Sequence, residues 1–288
     1  MPFSSSLYAA IRGLSSNLLY KKATGKEMSS LEDTCRDVRV EIESSSSVGK
    51  PVSIPFTLHP NVKHSCSPLI ISIDGNIGSG KSTLVNQLKD VFKDMPNVHF
   101  IQEPVDTVWN LITDRHGETL LSNFYKDPSK HAFTFQMMAY ISRLAILRDA
   151  VKNPMHDVII TERCLETDRN VFEKMLHAQG IINDMEHAVY NMWFDEFYKE
   201  IRCNAIIYVR ASVDTCMERI QKRSREGEAV TREYITDCVR YHEEWIMNDS
   251  RPRLLVEADA DSITNEETRD NKLLQIVTFI HKICATSI

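Results

Sequence analysis

Long apolar runs are missing from this sequence. No stretch approaches the roughly 20 consecutive apolar residues that a membrane-spanning helix requires. Basic charge is in deficit as well: 34 Lys and Arg stand against 40 Asp and Glu, for a net charge of −6 and an isoelectric point near 5.9. That balance argues against partners recruited by charge, whether nucleic acid or an anionic membrane. The seven cysteines (Cys35, Cys66, Cys164, Cys203, Cys216, Cys238 and Cys284) are odd in number, scattered and never spaced C-x-x-C. This spacing speaks against a disulfide framework and a thiolate zinc site, and fits free thiols in a reducing compartment. Glycine is scarce too, at nine in 288 residues, which makes its one cluster informative.

Three of the nine fall in a single hexapeptide. The stretch Gly75-Asn76-Ile77-Gly78-Ser79-Gly80-Lys81-Ser82-Thr83 contains G-x-x-x-x-G-K-S. That is the P-loop pattern, whose backbone N–H groups wrap phosphates while the lysine and hydroxyl address phosphate and metal. Its context is right: a β-branched run precedes it at 69–73, and apolar residues at helical spacing (Leu84, Val85, Leu88, Val91, Phe92) follow it.

Composition divides the chain near residue 68. Residues 1–68 hold fourteen serines and no sustained periodicity, and read as a disordered extension. The first 26 residues lack acids but carry Arg12, Lys21, Lys22 and Lys26, with Leu7, Ile11, Leu14 and Leu18 on one helical face. Such a start resembles an organellar transit peptide, so the expected compartment is cytoplasm or mitochondrion. Residues 69–288 read as the catalytic domain. There, strands expected at 69–74, 98–103, 157–162, 204–210 and 253–258 alternate with helices at 81–94, 129–152, 166–179, 184–200, 212–223, 231–248 and 265–284. Nearly continuous Ile/Val strands suit a five-stranded parallel sheet with helices on both faces, an α/β fold.

Open parallel sheets bind ligands outside the carboxyl ends of their strands. Besides the P-loop, Gln102-Glu103 closes the second strand and Thr161-Glu162-Arg163 the third. A phosphoryl-transfer site needs donors on the phosphates, a metal at the loop hydroxyl, cations for migrating charge and a base for the acceptor. Lys81 and Ser82 fill the first two places. The basic cluster Arg219, Lys222, Arg223 and Arg225, followed by Gly227, supplies cations on an arginine-rich lid.

The P-loop, Glu103-Pro104-Val105, Phe133-Thr134-Phe135-Gln136, Thr161-Glu162-Arg163-Cys164 with Asp168-Arg169, the 219–226 cluster and His242-Glu243-Glu244-Trp245 occur in one order. Together they resemble the deoxyribonucleoside kinases, the family of deoxycytidine, deoxyguanosine and mitochondrial thymidine kinases, over about residues 69–285. The resemblance implies a P-loop kinase fold, a homodimer, and ATP-dependent phosphorylation of a deoxyribonucleoside 5′-hydroxyl in nucleotide salvage. It implies that Glu103 is the general base, with an ordinary carboxylate pKa, and that Arg163 attends the 5′-oxygen and transferred phosphoryl. Glu162 is similar to the acid that holds Mg²⁺ beside Ser82. Arg219, Arg223 and Arg225 resemble the lid arginines on ATP, and Tyr125 with one of Glu226 or Glu228 resembles the pair on the sugar 3′-hydroxyl. Gln136 would make a two-point amide contact with the base, flanked by Phe135 and Phe172. The Arg143/Asp168 pair and Ala139 are similar to the family's cytidine- and guanosine-type pockets, so deoxycytidine and purine deoxynucleosides are expected ahead of thymidine. The family's Glu-Arg-Ser is Glu162-Arg163-Cys164 here. Two other readings compete: a P-loop kinase of another acceptor such as a nucleoside monophosphate, and a non-catalytic accessory subunit of respiratory complex I.

Overall fold

The computed structural model describes residues 67–225, 227–259 and 266–286. The extension expected at 1–68, with its transit-peptide-like start, lies outside the described residues up to residue 66. Five strands form one parallel sheet: β1 (Leu69–Asp74), β2 (Val98–Ile101), β3 (Val158–Glu162), β4 (Ala205–Arg210) and β5 (Arg253–Glu257), in the spatial order β2-β3-β1-β4-β5. The chain leaves β1 toward one edge for β2 and β3, then crosses to the other side for β4 and β5. The crevice at the carboxyl end of β1 is therefore the switch point where such sheets bind ligands.

All six residues of β1 are buried, because helices cover both faces of the sheet. On one side Ile71, Ile73, Ile160 and Ile207 pack against Leu84, Val85 and Leu88 of α1 (Lys81–Val91) and Ile276, Val277 and Ile280 of α8 (Glu266–Thr286). On the other, Ile70 and Ile159 meet Tyr140, Leu144 and Leu147 of α3 (Pro128–Lys152) and Tyr190 and Phe194 of α5 (Asp184–Tyr198). Each such isoleucine or leucine contributes about 1.5–3 kcal/mol by leaving water. The period-2 alternation of strand side chains explains why a continuous apolar run feeds two cores. Two further helices, α6 (Val213–Arg223) and α7 (Arg232–Asn248), pack on each other beside the P-loop. Among the described residues no helix is long and apolar enough to cross a membrane.

Three departures from the sequence reading concern the site. Strand β2 ends at Ile101 rather than 103, which puts Glu103 on the loop beyond it. A short helix not anticipated, α2 (Leu120–Lys126), is capped by the Thr119 hydroxyl accepting from Ser122 N and buries Leu121 and Phe124. The helix expected at 166–179 is α4, residues 165–178. It opens with Leu165–Thr167, widens into a π-helical segment Asp168–Glu173, and returns to α-geometry over Lys174–Ala178. There the Lys174 N–H reaches the Arg169 carbonyl oxygen, five residues back.

The P-loop is clamped between β4 and α6. Gly78 has φ +78, and a Cβ there would lie 2.6 Å from the Cys216 carbonyl oxygen. Gly78→Ala combines backbone strain with a backbone clash and should destabilise the fold by about 1–3 kcal/mol. A lowered thermal midpoint would register this; an unchanged midpoint would show that α6 gives way freely.

Candidate active site

The donor side begins at Gly80, which caps α1, so that the free N–H groups of the first turn point out of the loop. Lys81 is buried and donates from Nζ to the Asn76 carbonyl oxygen at 2.8 Å. Asn76 is tied in turn through Nδ2 to the Ile235 carbonyl oxygen of α7, at 3.0 Å. Burial and the nearby Arg163 lower the Lys81 ammonium to about 8, against the pull of Glu162, Glu103 and Asp74. Arg219 lies along the loop, donating to the Ser79 carbonyl oxygen at 2.8 Å and the Ala258 carbonyl oxygen at 2.6 Å.

Ser82 Oγ donates to Glu162 Oε1 at 2.7 Å. This hydroxyl–carboxylate pair is a fitting donor set for Mg²⁺, a hard cation that takes one or two protein oxygens and completes its shell with phosphate and water. Among the described residues no group of three or more His, Cys, Asp or Glu side chains forms a separate metal site.

The acceptor side is built around Glu103. Arg163 Nε donates to its Oε1 at 2.7 Å and Arg143 Nη2 to the same oxygen at 3.3 Å. Both guanidiniums are almost fully buried. Burial would raise the Glu103 carboxyl, but Arg163, Arg143 and Lys81 outweigh it and lower its pKa to about 2. The sequence reading had it as an ordinary carboxylate; what it misses is that two arginines converge on it from different strands and helices. Arg143 is otherwise committed to Asp168, with Nε to Oδ2 at 2.9 Å, and to the Glu162 carbonyl oxygen at 2.8 Å. Burial pushes the Asp168 carboxyl above its usual range against the pull of Arg143. Arg163 adopts a left-handed backbone (φ +64) straight after β3 and lies over the Phe172 ring at 4.9 Å.

One cavity of about 890 Å³ joins these halves. Ile77, Gly78, Gly80, Lys81, Ser82, Thr83, Glu103, Glu162, Arg163, Arg219, Arg223 and Arg225 line it at the phosphate end. Tyr125, Phe135, Gln136, Ala139, Asp168, Phe172 and Glu228 line it as well. Gly75, Asn76 and Ser79 stand behind the wall, and so does Arg143, which reaches the cavity only through Asp168 and Glu103. Gln136 is buried and its amide makes no hydrogen bond among the described residues, leaving one donor–acceptor edge for a ligand. Of the two candidate lid glutamates, Glu228 is in the cavity, bonded to Arg223 at 2.5 Å, while Glu226 lies outside the described residues. Gly227 seats this segment: its φ is +75, and a Cβ would meet Ser122 Cβ at 2.8 Å.

Sequence reasoning missed Phe124 and Tyr234. Phe124 stacks on Phe135 at 4.8 Å, and Trp109 meets Phe135 edge-on at 5.6 Å while donating to Ser142 Oγ. Tyr234 meets Tyr125 edge-on at 6.4 Å. The available signals were slight: Thr119 as a helix cap ahead of Phe124-Tyr125, and Thr231 as the cap of α7 three residues before Tyr234.

The lowered Lys81 pKa has a measurable sign. In the free protein the ammonium is lost as pH rises through about 8, so if it holds donor phosphate, kcat/KM for a triphosphate donor should fall there. At saturating donor the phosphates favour the charged form, and kcat should hold to about one unit higher or more. A kcat/KM profile flat to pH 10 would mean that Lys81 stays charged.

Comparison with known proteins agrees with this geometry. The family model described as deoxynucleoside kinase matches residues 71–281. The chain is 33% identical over 222 residues to a probable deoxycytidine kinase of Fowlpox virus, covering 74% of this chain and 88% of the viral protein. It is 32% identical over 198 residues to deoxycytidine kinase of Homo sapiens (62% and 75%) and 28% identical over 238 residues to a mitochondrial deoxyguanosine kinase of Xenopus laevis (73% and 89%). A P-loop and a carboxylate–arginine centre joined by one cavity at the carboxyl ends of the strands, together with these matches, establish that the chain belongs to the deoxynucleoside kinase family.

Proposed function

We propose that this enzyme, an ATP-dependent kinase of deoxyribonucleosides, transfers the γ-phosphoryl group to the 5′-hydroxyl of deoxycytidine and purine deoxynucleosides in preference to thymidine. The products are the 5′-monophosphate, ADP and a proton, a step of nucleotide salvage. The observation that carries the preference is Asp168, which lines the cavity while both its oxygens accept from Arg143. An ionised carboxylate accepts only, so it favours bases with an amino or N–H donor at that edge and disfavours the O4 acceptor of thymine. Gln136 complements it with one donor and one acceptor, and Ala139 leaves room beside them. The competing nucleoside monophosphate reading lacks support, since Arg143, the cation on the same helix as Gln136, is already committed to Asp168, Glu103 and a backbone carbonyl.

In this reading Glu103 accepts the 5′-hydroxyl proton and Arg163 holds the 5′-oxygen and transferred group. Lys81 and the N–H groups of the P-loop hold the donor phosphates. Arg219, Arg223 and Arg225 close over them as the lid, neutralising charge as it moves from nucleotide to acceptor. Tyr125 and Glu228 bond the sugar 3′-hydroxyl. Mg²⁺, held by Ser82 directly and by Glu162 through water, would screen the donor phosphates. A homodimer is supported by α5, whose Met185, Val189, Met192 and Trp193 form an exposed apolar stripe at helical spacing.

Three measurements test the assignment. Phosphorylation of dC, dA, dG and dT at equal concentration should rank dT last. Exchanging Arg143 and Asp168 together for apolar residues should move preference toward dT, and an unchanged ranking refutes the pocket assignment. Glu103→Gln should lower kcat by about two orders of magnitude or more with a modest change in KM; a change confined to KM would reassign Glu103 to binding.

A further inference from the structure

The His242-Glu243-Glu244-Trp245 motif has no part in the chemistry above, yet its histidine is fully buried behind Arg163. His242 Nδ1 lies 2.7 Å from the Cys238 carbonyl oxygen. A carbonyl can only accept, so Nδ1 carries the proton and Nε2 is left as an acceptor, 3.3 Å from Arg163 Nη1. Burial and the charges of Arg163 and Lys81 hold the imidazole pKa well below its usual value, against the Cys238 bond. The ring is fixed by Tyr208, nearly parallel at 6.2 Å, whose hydroxyl bonds Glu243, and by Phe172, edge-on at 6.2 Å.

The guanidinium is therefore anchored on one side. Nη1 donates to the Gly75 carbonyl oxygen at 2.8 Å and to His242, Nε donates to Glu103, and Phe172 supports the plane. Nη2 makes no hydrogen bond among the described residues. An arginine beside a carboxylate ordinarily settles into a two-pronged pair, here through Nε and Nη2. That arrangement would consume the free nitrogen and cover the carboxylate. The bonds to Nη1 oppose it.

We propose that His242 is a positioning residue: as a neutral acceptor it holds Nη1 of Arg163, which keeps Nη2 open for the 5′-oxygen and keeps Glu103 accessible. This rests on the role proposed for Arg163 above. The test compares His242→Asn with His242→Gln. The shorter amide retains a donor toward Cys238 but falls short of Arg163, while the longer one presents an acceptor to Nη1. The Asn variant should lose about 10- to 100-fold in kcat with nucleoside KM within about three-fold, and the Gln variant should stay within about three-fold of wild type. Combining His242→Asn with Arg163→Ala should add no further loss, since the histidine acts through the arginine. Equal activity of the Asn and Gln variants at matched thermal midpoints, or losses that multiply in the Arg163→Ala background, would overturn the proposal. If Arg163→Ala alone retained wild-type kcat, the role of Arg163 itself would fall, an outcome distinct from either.

Discussion

Two guanidiniums buried around one carboxylate are the constraint on which this structure turns. Arg143 and Arg163 leave water almost completely, and both find Glu103. Taking such charges out of water costs several kcal/mol each, repaid only when geometry is good and the remaining donors are satisfied. Removing one partner of such a cluster strands the others and costs about 3–5 kcal/mol. The surroundings follow from that need. Strand β3 ends so that the Glu162 carbonyl receives Arg143, the left-handed turn at Arg163 points its side chain back under the P-loop, and the widened turn of α4 brings Asp168 and Phe172 to the same cluster. A π-helical segment has little reason to persist in a helix unless something else over-determines it, and here the ion pair and the ring contact both do.

The same cluster bears on the base role proposed for Glu103, a carboxylate held at about 2. Phosphoryl transfer runs through a loose transition state in which the acceptor proton becomes acidic as the new bond forms. Proton affinity in the ground state then matters less than charge and position. In its proposed role an ionised Glu103 is always ready to accept, and Arg163 compensates the carboxylate until the proton arrives. Cations beyond this balance come from α6 and its following segment, where Arg219, Arg223 and Arg225 face the phosphate end. Glu228 engages Arg223 and Arg225, so these cations are not left unpaired in the cavity.

Much of this was legible in the sequence because strand ends carry chemistry in a predictable place. All five strands, their parallel arrangement and the covering helices follow from apolar runs and their spacing. Glu103, Glu162 and Arg163 follow from their position at strand ends. The illegible parts are those decided by tertiary contact. Helix α2 is only seven residues long and draws its stability from Leu121 and Phe124 packing under Trp109 and Phe135, which no local periodicity announces. The π segment reads locally as ordinary helix. The pKa of Glu103 depends on charges 40 and 60 residues away in the chain.

Arg143 illustrates the limit most clearly. Spacing on α3 places it on one face with Gln136, two turns apart, which invites the view that both touch the base. In the folded protein Gln136 keeps its amide free while Arg143 is committed to Asp168, Glu103 and a backbone carbonyl. In the proposed pocket, selectivity for the base falls to Asp168, which Arg143 orients from behind. Because Arg143 also bonds Glu103, the proposed base-reading group and the proposed proton acceptor share one guanidinium. On that reading a change at Asp168 alters the field at Glu103, which couples specificity to turnover in this pocket.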